Sequence, residues 1–195
     1  MNHKETIQVS EKASVSVASN ASLTEDTHVI GHYTVTCTDA DGNVKWEEAF
    51  PNLVVNVGKT NLLSTYFTGS SYTATWYLGL VDGGSSPTYN AADTMASHSG
   101  WTENTGYSNS TRPAPTWGSA SASGGGAGSA GTGTISTTAT AFNINATGTI
   151  AGAFLVTNST KGGTTGTLYS AGSFTTGNRS VLSGDTLNVT YTANC

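Results

Sequence analysis

The sequence predicts an all-β protein: an antiparallel β-sandwich, jelly-roll-like, with one short helix and an extended N-terminal arm. Three observations lead there. Thr, Val, Ile, Tyr, Phe and Trp carry much of the chain, and these residues suit pleated, half-buried surfaces. Lys, Glu, Leu and Met, which build exposed helices, are scarce, and charged residues make up only 10% of the chain against ~25% in ordinary globular proteins. Short apolar or alternating runs recur between turn clusters rich in Gly, Asp, Asn and Ser, enough for at least eight strands. A jelly roll is favoured over an immunoglobulin fold because the Cys…Trp…Cys spacing is missing.

Residues 1–27 alternate weakly, Ile7 with Val9 and Val15 with Val17, among Ser, Ala, Asn and Glu. This is too polar to build a core yet has strand-like spacing. It reads as an arm that gains order by pairing with another surface, or as a disordered tail. Residues 28–195 read as a single β-sandwich domain. From His28 the alternation sharpens: Tyr33, Val35 and Cys37 share one face, and His32, Thr34, Thr36 and Thr38 the other. Asp39 to Asn43 is a turn, Val44 to Glu47 the second arm of a hairpin, and Phe50-Pro51-Asn52 a break. Lys59 to Phe67 is the helix. Leu62 with Tyr66, and Leu63 with Phe67, fall at i, i+4 and give it one apolar face.

Thr73 to Val81 is the most apolar segment and reads as a central strand. Residues 88–133 form a long loop. Asp93 is placed to cap a single helical turn through His98. Trp101, Tyr107 and Trp117 either fold this loop onto the sheet or offer rings to a partner, and residues 118–133 are a flexible low-complexity tip. Strands resume at Phe142 and Ile144. Thr149 to Thr157 carries Gly152 at a bulge or close-packing point. The last strand turns Leu187, Val189 and Tyr191 inward.

Charge and motifs narrow the function. The net charge is −5, and the seven Lys and Arg are scattered, so no cationic cluster is available to nucleic acid or to an anionic membrane. The longest apolar runs span a few residues, far short of the ~20 a bilayer needs, and the first residues lack the apolar stretch of a secretory signal. Cys37 and Cys195 give a weak redox signal, read either as free thiols made in a reducing cytosol or as a disulfide. Gly58-Lys59-Thr60 resembles the end of a phosphate-binding loop, but the place of its first glycine is held by Leu53, followed by Val54 and Val55. Such residues favour a strand over a phosphate nest. His28 and His32, four apart on a strand, are separated by about 13 Å, too far for one metal. The pairs Asp39/Asp41 and Glu47/Glu48 read as solvated turn charges. These features predict a protein that is no enzyme and takes no metal or cofactor.

Four phrases resemble small structural proteins of tailed bacteriophages. They are Asn52 to Lys59 followed by Leu62-Leu63; Trp76 to Leu80; Ala92 to Glu103 with Tyr107 and Arg112-Pro113; and Ser183 to Tyr191. The resemblance covers roughly residues 31–192 and implies a virion component, most like a capsid decoration or cement protein. Its partners are then the major capsid protein and neighbouring copies of itself, as a homo-oligomer or on a lattice, with no nucleic acid and no membrane. The resemblance further implies that it is made in the host bacterial cytoplasm and sits on the capsid surface. Ile7, Val9, Val15, Val17, Trp101, Tyr107 and Trp117 are the candidate interface residues. The alternative expectation is a receptor-binding or tail-fibre-type adhesin whose aromatic loop contacts host glycans.

Overall fold

The structure is a computed structural model and describes residues 29–69, 75–126 and 129–195. The arm, with Ile7, Val9, Val15 and Val17, lies outside them. Along the chain run β1 (Ile30–Thr38), β2 (Val44–Pro51), β3 (Leu53–Val54), α1 (Asn56–Thr68), β4 (Tyr77–Asp82), β5 (Glu103–Asn104) and β6 (Ser121–Gly126). There follow β7 (Ser129–Ser136), β8 (Thr140–Asn143), β9 (Gly148–Val156), β10 (Leu168–Ser173), β11 (Arg179–Val181) and β12 (Thr186–Asn194). They form two antiparallel sheets. The first has the order β2-β1-β12-β7-β6, with β8 also on β12; the second has the order β3-β10-β9-β4-β5, with β11 on β9. The chain is an all-β sandwich with one helix among its described residues, as expected.

Alternation decides which faces meet. Tyr33, Val35 and Cys37 of β1 and Leu187, Val189 and Tyr191 of β12 are all fully buried, and the two strands pair in register from Ile30↔Asn194 to Thr38↔Thr186. They pack against Leu78, Leu80, Ile150, Leu155 and Tyr169 of the second sheet. That second sheet is covered on both faces. Val81, Ala151, Phe154, Val156 and Ala171 point away from the sandwich interior and pack under Val55, Met95 and Trp101. A strand buried on both sides carries no polar alternation, which is why β9 reads as a nearly continuous apolar run. It is the true centre of this sheet, and β4 is its neighbour.

Four local expectations need correction. Phe50 and Pro51 do not break β2 but belong to it. Phe50 is buried, and Pro51 is tolerated because β2 is an edge strand with no partner on its far side among the described residues. Residues 118–133 are no structureless tip: β6 and β7 pair there as a hairpin, and β7 continues the first sheet beside β12. Pairing uses backbone groups alone, so Gly and Ser do not prevent it. Asp93 caps no helix. Its carboxylate accepts the Asn90 N–H at 3.0 Å and the Trp101 indole N–H at 3.2 Å, closing a turn instead. Glu48 is not solvated but buried, and its partner is Arg179.

Both β8 and β7 lie on the same edge of β12, and the ladder survives the switch between them. Thr137, between the two strands, donates its N–H to the Tyr191 carbonyl at 2.9 Å, while its hydroxyl accepts the Tyr191 N–H at 3.0 Å.

Candidate functional site

Helix α1 begins without a side-chain cap. Instead Val55 N–H donates to the Tyr169 carbonyl at 3.0 Å and Asn56 N–H to the Ala91 carbonyl at 2.8 Å. Gly58 sits inside the helix against β10: a Cβ there would come within 2.5 Å of the Tyr169 carbonyl oxygen. The resemblance to a phosphate loop is therefore explained by packing. Gly58 lets the helix backbone approach a strand, and Lys59 continues the helix by donating its N–H to Val55. Gly69, left-handed, ends the helix.

Only Gly58 of α1 is buried. The apolar face that sequence spacing predicts is real, but it covers no core. Leu62 is 40% exposed, Leu63 56%, Phe67 75% and Tyr66 80%. Beside it runs an apolar groove of about 570 Å³ between the helix and the two sheets, with Leu62, Tyr66, Trp76, Trp117, Ile135 and Tyr191 among its walls. An adjoining hollow of about 480 Å³ shares Leu62, Ile135, Tyr169 and Ala193 with the groove and extends past Val29 to β6 and Cys195. Among the described residues no charged side chain lines either.

The remaining polar clusters are structural struts. Arg112, fully buried, donates from Nε and Nη2 to the two Glu103 carboxylate oxygens at 3.0 and 2.7 Å. It also donates to the Asn158 and Gly163 carbonyls at 3.0 and 2.8 Å. Asp185 accepts from Lys45 Nζ at 2.5 Å and from Leu182 N–H at 2.7 Å. Burial disfavours its charge, but these donors outweigh that and hold its carboxyl below the usual range. Glu48 pairs with Arg179 and accepts from Thr176. Fixed donors engage each carboxylate, Glu103 through both oxygens and Asp185 and Glu48 through one oxygen each, and so tie the segments together. Among the described residues no three His, Cys, Asp or Glu side chains gather where a metal ion could bind.

The sequence-predicted aromatics separate. Trp101 is 2% exposed, stacked on His98 at 4.0 Å and tilted against Phe154. Tyr107 is fully buried, edge-on to Phe142 and beneath Lys161. Neither ring has surface to offer a partner; both anchor the loop, because an aromatic buries much area without needing a charge partner. Trp117 alone is partly exposed, and it lines the groove edge-on to Tyr191. The sequence reading passed over Leu62, Leu63, Tyr66 and Phe67 as a site, since an apolar helix face ordinarily packs inward. The available signal was that Ser64, Thr65 and Asn61 flank this face without a charge.

The cysteines differ in the same way. Cys37 is buried, its thiol donates weakly to Asp185 at 3.8 Å, and burial pushes it up to about 11; Cys195 is exposed. At pH 8 a disulfide reagent is expected to titrate Cys195 within minutes and Cys37 only on unfolding, because the thiolate is the reactive form. Two thiols reacting at one fast rate in native buffer would contradict this placement.

Neither a scan against protein-family models nor searches of curated proteins and of solved structures found a match to this chain.

Proposed function

We propose that the protein is a structural component of a tailed-phage virion, a decoration protein that adheres to the capsid shell and bridges its subunits. One observation carries the reading. Of the seven large apolar residues exposed among the described residues, four stand together on α1. A clustered apolar patch on a monomer marks a contact surface, whereas scattered single residues do not. The patch sits on a sandwich braced by one buried ion pair, Arg112–Glu103, and two partly buried ones, Lys45–Asp185 and Arg179–Glu48, a body stiff enough to transmit load between neighbours. The phage-like phrases name the shell as the partner. Many copies on a lattice supply avidity, so one modest helix contact per copy suffices. The adhesin alternative loses Trp101 and Tyr107 as glycan platforms, since both rings are buried.

The test is binding to purified particles that lack the protein. Wild-type protein is expected to saturate the shell in icosahedral copy number. Replacing Leu63 and Phe67 together with Asp removes the patch outside the groove walls. It is expected to weaken binding by about tenfold or more while leaving stability within about 0.5 kcal/mol. Localisation at the tail alone, or undiminished shell binding by the double variant, would sink the reading; specific signals on a glycan array would favour the adhesin instead.

A further inference from the structure

The apolar groove beside α1 needs an occupant, and we infer that it is the chain's own N-terminal segment, residues 13–24, folded back in cis. Position comes first. The described chain starts at Val29, which packs on the sandwich core and itself lines the hollow that continues the groove. The preceding segment is therefore joined to the body at the wall of the hollow, from which the groove is continuous through Leu62, Ile135, Tyr169 and Ala193. Length is sufficient: the residues between Val17 and Val29 span about 40 Å when extended, room for a turn and a return.

Charge points to the same segment. Among the described residues no charged side chain lines the groove or the hollow, so an entering charged side chain would lose its water without gaining a partner side chain. Between Lys12 and Glu25 lies the longest uncharged stretch of the first 28 residues, ASVSVASNASLT. Within it Val15 and Val17 alternate with Ser14 and Ser16, so an extended strand puts both valines on one side and the hydroxyls on the other. Backbone groups of the segment also find partners. The hollow is bounded by Ser121 and Ala122 of β6, which ends the first sheet and pairs only with β7 among the described strands. An added strand at such an edge satisfies its amides and carbonyls there. Covalent linkage gives the arm an effective concentration of order millimolar, which a second copy does not match at ordinary protein concentration. The inference can fail without the capsid reading failing: Leu62 and Tyr66 wall the groove, but Leu63 and Phe67, the two residues that test the capsid reading, do not line it.

The experiment is nuclear Overhauser spectroscopy on the full chain. Contacts are expected between the Val15 and Val17 methyls and the ring protons of Trp76 or Trp117. They should vanish in a filtered experiment that detects only contacts between labelled and unlabelled molecules in an equal mixture. Absence of these contacts in a chain whose core methyls are well dispersed overturns the inference. So does their survival in the filtered experiment, which would assign the groove to a neighbouring copy. As a second readout, changing Val15 and Val17 to Ser should speed amide exchange across residues 62–67 by about tenfold or more, with β9 unchanged as the control. Unchanged exchange at 62–67 counts against the inference as well.

Discussion

Replacing Arg112 with Ala is expected to cost about 3–5 kcal/mol of stability, the largest loss of any charged position. Arg112 has no exposed surface, and it joins three separate segments. Glu103 comes from β5, and the carbonyls of Asn158 and Gly163 come from the turn after β9. Its guanidinium also lies 5.2 Å from the centre of the Phe154 ring. Removing it leaves Glu103 charged and largely desolvated, held only by the Gly162 N–H at 2.7 Å and the Tyr107 hydroxyl at 3.3 Å. That uncompensated ion is most of the penalty, since the net worth of a buried pair against apolar replacements is small. It follows that changing Glu103 to Gln as well should recover part of the loss. Urea denaturation of the single and double variants checks both points. A loss below about 1 kcal/mol for Arg112→Ala would show that the pair contributes no more than a surface bridge.

Gly152→Ala is the second severe change, expected to cost about 3 kcal/mol or to abolish folding at 37 °C. Gly152 lies within β9, covered on one side by β10 and on the other by β4. A Cβ there would come within 1.9 Å of the Gly172 carbonyl oxygen, a backbone atom held by the sheet and unable to step aside. The register between β4 and β9 slips at the same place, from Val81↔Gly152 to Asp82↔Ile150. This bulge lets both Ile150 and Ala153 face the sandwich interior although they are three residues apart. Gly148→Ala is the control in the same strand. Nothing lies within 4 Å of its added methyl, and its φ is not in the left-handed range. Thermal melts should show Gly148→Ala unchanged or slightly stabilised and Gly152→Ala far below it; equal melting points would refute the steric account.

These two positions also mark how far a sequence can be read. Gly152 was visible as an interruption in an apolar run, because a glycine among β-formers needs a reason. Which backbone it must clear was not visible. Arg112 gave no local signal at all: it stands in a polar loop, and its partners are 9, 46 and 51 residues away along the chain. Glu48 shows the same gap in reverse. Beside Glu47 in an alternating strand it looked solvated, yet the side of β2 that it shares with Phe50 faces inward, and Arg179 lies 131 residues on. Burial of a charge depends on a partner that only folding delivers.

Side-chain period and turn chemistry, both properties of neighbouring residues, were enough to determine the β class, the one helix and the inward faces of β1 and β12. Tertiary structure alone decided that Trp101 and Tyr107 lie inside, that the Gly/Ser stretch pairs as a hairpin, and that the apolar side of α1 faces out. Those outcomes depend on which surfaces meet. Local sequence specifies the pattern an element presents, but the free energy of covering it is set by whatever the rest of the chain places opposite.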